Sequence, residues 1–157
     1  MPFELLTEAF QHEQPIPQKY SQDGENVSPP LRWSGMPDAT SELALIAEDP
    51  DAPTDQPYVH WVIYKIPTTL DHLPEGVAQS PRPDRPTGVY QGQNSAGNAG
   101  YDGPAPPKGH GRHRYYFTLY ALDRVMNIQP GLTKNQLLEQ IKPHILDQCR
   151  IIGTYER

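Results

Sequence analysis

Proline occurs 19 times in the 157 residues of this chain, and glycine occurs a further 12 times. Each proline inside a helix costs about 3 kcal/mol, because its ring removes a backbone hydrogen bond and clashes with the preceding turn. The combined proline and glycine content stays below the roughly 25–30% that is typical of disordered chains, and 36% of the residues are hydrophobic. The sequence therefore excludes helical bundles and coiled coils, and it predicts a compact, loop-rich, mainly β protein.

The charge and hydropathy patterns exclude further classes of protein. A net charge of −6 provides no overall field that would attract nucleic acid or an anionic membrane. No apolar run approaches the roughly 18 residues that span a bilayer, and the first residues lack the basic and apolar regions of a secretory signal. One cysteine, Cys149, permits no internal disulfide. We expect a cytoplasmic protein with no nucleic-acid partner and no integral membrane association.

The length fits one domain, and we expect residues 1–157 to form it. The segment from Leu73 to Gly111 is the part of the chain that proline and glycine interrupt most often. It could be a linker, but the flanking segments are too short to bury separate cores. A long surface excursion of one domain is therefore the better interpretation, and loops of this length are often functional.

Three segments have the pattern of β-strands. The runs from Glu42 to Glu48 and from Val59 to Ile66 are apolar, and the second is apolar on both faces, as in a central strand. The segment from His113 to Leu122 alternates between apolar and polar residues instead. Its apolar face carries Tyr115, Phe117, Leu119 and Ala121.

One helix has clear start signals near the end of the sequence. Thr133 and Gln136 form a T-x-x-Q capping box. An apolar stripe follows at helical spacing: Leu137, Leu138, Ile141 and Ile145. Pro143 ends or kinks this helix, or it begins a second short helix that would end near a buried Cys149. The tail from Arg150 to Tyr155 is either a last strand or a docking segment.

The sequence lacks the common catalytic motifs. It contains no P-loop, no Rossmann glycine fingerprint, no H-E-x-x-H and no G-x-S-x-G, so the corresponding chemistries have no support. Polar residues do occur beside the apolar strands. Asp49 follows the first strand, and His113 begins the third on its apolar face. His60 lies within the second strand, where simple alternation places it with Val62, Tyr64 and Ile66.

A histidine on an apolar face must bond its ring nitrogens, since each unmet group costs about 1–3 kcal/mol. For either histidine alone, a core residue bonded to the backbone is the simplest interpretation. Together, Asp49, His60 and His113 also suit an anion such as phosphate, because imidazoles and backbone N–H groups donate to its oxygens. The same trio is formally a 2-His-1-carboxylate metal set. His110 and His113 form a competing pair on an irregular loop.

A locally basic cluster leads into the third strand: Lys108, His110, Arg112, His113 and Arg114. One interpretation is a solvated loop in which an arginine pairs structurally with Asp49 or Asp51. The other is a surface that attracts anionic ligands to the mouth of a pocket. The sequence leaves both open.

These motifs resemble the two signature regions of the phosphatidylethanolamine-binding protein family. The resemblance lies in Asp49-Pro50-Asp51-Ala52-Pro53, in His60-Trp61 and in the run from Gly100 to Tyr115. The segments 26–33 and 153–155 also resemble family segments, so the likeness covers nearly the whole chain. The chain is most similar to the short bacterial, Raf-kinase-inhibitor-like branch of the YbhB/YbcL type.

The resemblance implies a fold of two antiparallel β-sheets with a few peripheral short helices, one of them near the C-terminus. It also implies a pocket for small anions and phosphate-bearing head groups, with Tyr115 beside its mouth. By motif position, the pocket residues are Asp49, Pro53, His60, Ala105, Pro107, His113 and Tyr115. The family often has glycine in place of Ala105, whose methyl group could narrow the pocket or tilt the loop. A cis bond at Gln56–Pro57 is implied as well.

The leading hypothesis is a non-enzymatic binding protein without a cofactor or resident metal. It would recognise a phosphate-like group on a lipid head group, a nucleotide or a phosphorylated partner, and regulation of a kinase or protease is a further hypothesis. The alternative is a small hydrolase or metal-dependent enzyme that uses Asp49, His60 and His113. An unidentified protein partner and a homodimer remain open. Prolines beside the pocket would stiffen its walls and lower the entropic cost of binding.

Overall fold

The computed structural model describes residues 1–157 and is mainly β. Its strands are β1 Glu4–Leu6, β2 Gln14–Pro15, β3 Leu31–Ser34, β4 Glu42–Asp49, β5 Tyr58–Pro67, β6 His72–Leu73, β7 Tyr90–Gln91, β8 His113–Leu122 and β9 Ile145–Tyr155. One α-helix, α1, spans Lys134–Ile141, and two 3-10 turns span Gln18–Tyr20 and Lys142–His144. No helix has the length and apolar character needed to cross a membrane.

The strands form two sheets, as the resemblance implied. The larger has the order β2-β9-β8-β4-β5-β7, and the smaller has the order β1-β3-β6. All pairs are antiparallel except the short edge pair β2–β9. The mainly β fold class with one short helix near the C-terminus is therefore confirmed.

The larger sheet is covered on both faces, which explains its many apolar residues. One face packs against the smaller sheet, where Trp33 and Leu73 meet Trp61 and Phe117. The other face packs against α1, whose Leu137 and Ile141 join a separate apolar cluster. The alternation predicted for β8 is confirmed, since its four apolar residues all lie on the face toward the smaller sheet.

The prediction for the faces of β5 is wrong. This strand has two β-bulges relative to β4, one near each end. Each bulge inserts one residue and moves the side chains beyond it to the other face of the sheet. Val62 and Tyr64 face α1, whereas Ile66 lies in the core between the sheets. His60 also turns away from the α1 face and packs against Tyr115.

The capping box of α1 is confirmed. The Gln136 N–H donates to Thr133 Oγ1 over 3.3 Å, and the Thr133 N–H donates to Gln136 Oε1 over 3.0 Å. The helix stops at Ile141, and a 3-10 turn that contains Pro143 follows. Local hydrogen-bonding chemistry therefore fixed the start of this helix, and proline marked its end.

The second helix after Pro143 does not form. The chain enters β9 at Ile145, five residues before the predicted tail segment, and pairs with β8 along nearly its whole length. Cys149 accordingly lies half-buried in β9, opposite Leu119. Long antiparallel pairing outweighs the helical spacing of Ile145, which coincides with the stripe on α1. The tail is a strand, as one of the two alternatives predicted.

The segment from Leu73 to Gly111 packs against the larger sheet and contains one short strand, β7. Its main anchor is Gln91, whose side chain is fully buried. Gln91 Oε1 accepts from the Trp61 indole N–H over 2.7 Å, and its amide nitrogen donates to the carbonyls of Ala78 and Ser80. The Asp102 N–H donates to the His60 carbonyl, which brings the end of this segment to β5.

The expected cis bond at Gln56–Pro57 is absent, and the one cis peptide bond is at Arg85–Pro86. The turn before β5 is closed by Thr54 instead. Its N–H donates to the Ala52 carbonyl, and its hydroxyl donates to the Gln56 carbonyl. These bonds reverse the chain with Gln56–Pro57 in the trans form.

Candidate functional site

The candidate site lies where one strand of the larger sheet ends and its two neighbours begin. Asp49 is the last residue of β4 and pairs with Tyr58 at the start of β5. On the other side β4 pairs with β8, which begins at His113. Antiparallel pairing therefore gathers residues that are far apart in sequence at one end of the sheet. The bulge in β5 then turns His60 toward the same place.

A cavity of about 280 Å³ opens at this end of the sheet. All seven residues predicted for the pocket line it: Asp49, Pro53, His60, Ala105, Pro107, His113 and Tyr115. Its other lining residues are Gln22, Ala52, Thr54, Tyr58 and Pro106. The structure thus brings the predicted residues together in one place.

Asp49 and His113 form a buried pair at the back of this cavity. His113 Nδ1 lies 2.6 Å from Asp49 Oδ2, and the two side chains are 2% and 5% exposed. The other carboxylate oxygen accepts from the Asp51 N–H over 2.7 Å. Since a carboxylate accepts, the proton on His113 belongs on Nδ1. Both oxygens of Asp49 are therefore occupied by donors from the protein.

The second ring nitrogen of His113 is also occupied. His113 Nε2 lies 2.6 Å from Nδ1 of His110, and the two rings meet at 61° with their centroids 4.8 Å apart. His110 is exposed, in contrast to His113. The competing histidine pair identified in the sequence is thus a direct hydrogen bond between a buried ring and a loop residue.

His60 is held by the backbone. Its Nδ1 lies 2.5 Å from the carbonyl oxygen of Asp102, and because a carbonyl accepts, Nδ1 carries the proton. Burial lowers the pKa of His60, so the ring is neutral at pH 7 and its Nε2 is a hydrogen-bond acceptor with no partner in the protein. The simple interpretation of a backbone-bonded histidine is correct, yet this ring also lines the cavity.

Tyr115 lies deeper than the resemblance implied. It is 2% exposed and forms the floor of the cavity rather than part of its mouth. Its ring meets His60 edge-on at 5.1 Å and stacks at 26° against His113 with 6.5 Å between centroids. Burial raises the pKa of the phenol, so the hydroxyl is protonated at pH 7. The position follows from β8, in which Tyr115 shares a face with His113.

Two loops form the outer side of the cavity. One contributes Pro53 and Thr54, and the other contributes Ala105, Pro106 and Pro107. The Ala105 N–H makes no hydrogen bond within the protein, so it is available as a donor. It is the only backbone donor among Ala105, Pro106 and Pro107, because proline has no N–H. The methyl group of Ala105 is half-buried at the cavity wall.

The arginine–carboxylate pair that the sequence analysis considered forms between Arg114 and Asp51. Two parallel hydrogen bonds of 2.9 Å join the guanidinium to the carboxylate, and the Arg114 backbone N–H donates to the same side chain. This pairing lowers the pKa of Asp51. Arg112, in contrast, has no acidic partner, and it lines a second cavity of about 590 Å³ together with His110 and His113.

Three of the contributors that sequence reasoning missed show why it missed them. Tyr58 packs against His60 with 4.8 Å between the ring centroids, and it was missed because it lies one residue before the predicted strand, which begins at Val59. Asp102 contributes its backbone carbonyl, which no side-chain pattern reports. Gln22 arrives from a distant turn and donates to the Asp102 carboxylate. Only tertiary packing places it there.

The formal metal set is not arranged as one. Asp49 Oδ2 and His113 Nδ1 bond to each other, and the Nδ1 of His60 bonds to a carbonyl. No group of three histidine, cysteine, aspartate or glutamate side chains in the structure is placed to hold a metal ion.

Comparison with known proteins gives consistent matches over almost the whole chain. The family model described as phosphatidylethanolamine-binding protein matches residues 6–156. A "UPF0098 protein" of Methanothermobacter thermautotrophicus is 46% identical over 153 residues, which cover 98% of this chain and 98% of that protein. The family match includes every residue that lines the cavity.

Two solved structures are similar in fold and in sequence. A structure described as a phosphatidylethanolamine-binding protein homologue from Chlamydia trachomatis has a TM-score of 0.88 and 42% identity, and the match covers 99% of this chain and 97% of that one. Escherichia coli YbcL, described as a new member of the mammalian family, has a TM-score of 0.91 and 30% identity. That match covers 99% of this chain and 98% of YbcL.

Proposed function

Because the chain belongs to the phosphatidylethanolamine-binding protein family, we propose that the cavity at the end of β4, β5 and β8 binds a phosphate-like group without chemical turnover. The observation that carries the proposal is the placement of Asp49, His60 and His113 around one cavity of about 280 Å³. A lipid head group, a nucleotide and a phosphorylated protein all present the same chemical group to such a site.

The hydrogen-bonding groups of the cavity match a singly protonated phosphate. The Ala105 N–H is free to donate to a phosphoryl oxygen. The neutral His60 offers Nε2 as an acceptor for a P–OH proton, since its Nδ1 proton is committed to the Asp102 carbonyl. Both oxygens of Asp49 accept protein N–H groups, which spreads the negative charge that would otherwise repel an anion.

The volume of the cavity favours a head group over a larger molecule. Pockets for drug-sized ligands measure roughly 300–1,000 Å³, and this cavity lies just below that range. The outer side is formed by exposed loops that contain Pro53 and Pro107, so the rest of a ligand can extend toward solvent. A phosphate group with a short substituent is therefore the ligand that fits best.

The proposal is tested by titrating inorganic phosphate and phosphoethanolamine into the protein while recording imidazole ¹⁵N and ¹H NMR signals. We expect saturable shifts at His60 and His113, because both rings line the cavity. His72 is an internal control, since it is exposed on the smaller sheet and bonds to the adjacent Asp71. Shifts that are absent at millimolar ligand, or equal at His72, would contradict the proposal.

One observation favours the enzymatic alternative. The buried pair of Asp49 with His113 has the form of an oriented general base, as in hydrolases. A screen of phosphoester hydrolysis by the wild-type protein, by His113→Ala, which removes the oriented base, and by His60→Ala, which removes the other histidine of the cavity, tests this possibility. Turnover that disappears in either variant would replace binding by catalysis as the function of the site.

A further inference from the structure

The cavity has one feature that binding of a phosphate group must overcome. His113 is the imidazole at its back, but the ring nitrogen that is not bonded to Asp49 already has a partner. His110 Nδ1 lies 2.6 Å from His113 Nε2, and a ring nitrogen makes one hydrogen bond in the plane of the ring. An anion cannot use His113 Nε2 while His110 holds it.

Two protonation states of the pair preserve this contact. When His113 is neutral, its Nδ1 proton points to Asp49 and its Nε2 accepts the Nδ1 proton of His110. When His113 is doubly protonated and His110 is neutral with its proton on Nε2, the Nε2–H of His113 donates to His110 Nδ1 instead. In both states the same two nitrogens are joined, and the same site is closed to a ligand.

His110 is the more movable partner of the pair. The residues from Lys108 to Arg112 are all exposed, whereas His113 is 2% exposed. Gly109 and Gly111 on either side of His110 have φ values of 77° and 94°, with no other atoms near the position of a side chain. The His110 N–H donates to the Pro107 carbonyl, and the Gly109 N–H donates to the Arg157 carbonyl. Few bonds must break for the loop to move.

The position of His110 also decides how much space a ligand meets. His113 lines both the cavity of about 280 Å³ and the neighbouring cavity of about 590 Å³, whereas His110 lines only the larger of the two. If His110 is displaced, the hydrogen bond that closes His113 Nε2 is broken, and the two cavities can connect at His113. A phosphate group at His113 could then carry a substituent into the larger cavity.

We propose that His110 is an internal competitor for the ligand. It is bound to His113 Nε2 in the free protein and is displaced when an oxygen of a phosphate-like group takes that position as the acceptor of an Nε2–H of His113. The inference rests on the proposed function of the cavity. It assigns to the loop from Lys108 to Arg112 a specificity role, since a ligand must bond His113 well enough to replace the imidazole.

The competition is tested with His110→Ala, and inorganic phosphate is the probe. A typical hydrogen bond changes an equilibrium constant by roughly three- to tenfold. We therefore expect His110→Ala to bind phosphate about three- to tenfold more tightly than the wild-type protein. His72→Ala is the matched control, because it removes an exposed histidine from the smaller sheet, and its Kd should equal that of the wild type.

A second readout follows the hydrogen bond itself. In the ligand-free wild type, NMR should detect coupling between the ¹⁵N nuclei of His110 Nδ1 and His113 Nε2, and saturation with phosphate should abolish it. Coupling that persists at saturation would overturn the proposal, and so would an unchanged Kd in His110→Ala. Weaker binding by this variant would make His110 a ligand contact and would also overturn it.

The outcomes separate this inference from the function on which it rests. If wild type and His110→Ala bind phosphate equally, the competition is wrong and the binding function stands. If neither protein binds phosphate at tens of millimolar, both the proposed function and the competition are overturned.

Discussion

The two sides of the cavity are built in different ways. The back consists of strand residues that are almost fully buried. Counted over the whole residue, the exposures are 3% for Asp49, 6% for His60, 2% for His113 and 2% for Tyr115. The front consists of loop residues, of which Pro53, Thr54 and Pro107 are exposed. Strands hold side chains in fixed positions, and loops allow a ligand to enter. If the cavity binds the proposed ligand, we expect recognition to be fixed at the back and access to be controlled at the front.

Hydrogen bonding follows the same division. At the back, Asp49 bonds to His113 and to the Asp51 N–H, and His60 bonds to the Asp102 carbonyl. At the front, the Ala105 N–H is unpaired within the protein. Changes at the back should therefore alter the free energy of unfolding as well as binding, whereas changes at the front should alter mainly binding.

The largest effect is expected for Asp49→Ala. The substitution leaves the buried Nδ1–H of His113 and the Asp51 N–H without an acceptor, and each unmet group costs about 1–3 kcal/mol. We expect a loss of about 2–4 kcal/mol in the free energy of unfolding, measured by urea denaturation, together with loss of phosphate binding.

Asp51→Ala is the matched control for this variant. It removes a carboxylate two residues away whose partner, Arg114, is 52% exposed. Because solvent can replace much of this partly exposed pairing, Asp51→Ala should lose at least about 1 kcal/mol less of the free energy of unfolding than Asp49→Ala. Equal losses in the two variants would show that the back of the cavity is not the more stabilising side.

The next effect concerns the pH dependence of stability through His60. Burial lowers the pKa of this ring in the folded protein, so on acidification the unfolded chain takes up a proton near pH 6.5 before the folded protein does. The free energy of unfolding should therefore fall as the pH decreases below about 6.5, by at most about 1.4 kcal/mol per pH unit from this group.

Urea denaturation of the wild type and of His60→Gln between pH 7 and pH 5 measures this contribution. The variant should show a shallower loss of stability, and the difference in slope is the measured quantity. His72→Gln controls for the loss of an exposed histidine. If the free energy of unfolding depends on pH equally in His60→Gln and in the wild type, protonation of His60 does not contribute to that dependence. The ring would then be as accessible to protons as a residue of the front loops.

The sequence predicted the contents of the back more successfully than their orientation. Alternation in β8 placed Tyr115 correctly on the inner face, because a period of two survives in a regularly paired strand. The same rule failed for His60, since a bulge depends on the partner strand and leaves no mark in the strand's own composition. The motif resemblance identified His60 as a pocket residue without predicting its direction.

Elsewhere in the chain as well, the sequence predicted features that depend on neighbouring residues and missed those that depend on long-range contacts. The capping box of Thr133 and Gln136 acts between residues three apart, so the sequence located the start of α1. Ile145 continued the helical stripe but belongs to β9, because pairing with β8 decides its conformation. The hydrogen bond between His110 and His113 depends on the course of a glycine-rich loop, which spacing alone does not specify.

A smaller effect is expected at the front from Pro107→Ala. The proline ring restricts the loop before binding, so its removal should raise the entropic cost of ordering the wall. We expect phosphate affinity to fall about two- to threefold, and the free energy of unfolding to fall by about 0.4–1 kcal/mol through the unfolded chain. Isothermal titration and urea denaturation measure the two quantities.

Pro143→Ala separates the two causes. Pro143 is exposed in the 3-10 turn after α1 and does not line the cavity. Its removal should change stability by a similar amount and leave phosphate affinity unchanged. A loss of affinity in both variants would mean that the rigidity of the front loop has no particular role in binding.

The smallest effect is expected from Arg112→Ala, which tests whether the front attracts anions at a distance. Arg112 is exposed and immediately precedes His113, so its charge acts through solvent near the mouth. Arg124 is the matched control, since it is also exposed and follows the opposite end of β8 at Leu122. A strand of this length separates the two positions by about 30 Å, which is several times the Debye length of about 10 Å at 0.1 M salt. Phosphate affinity should fall about twofold in Arg112→Ala at 0.1 M salt and be unchanged in Arg124→Ala. The difference should disappear at 0.5 M salt, because screening suppresses interactions between exposed charges. A loss that persists at high salt would instead place the Arg112 side chain in contact with the ligand, and the front would then share recognition with the buried back.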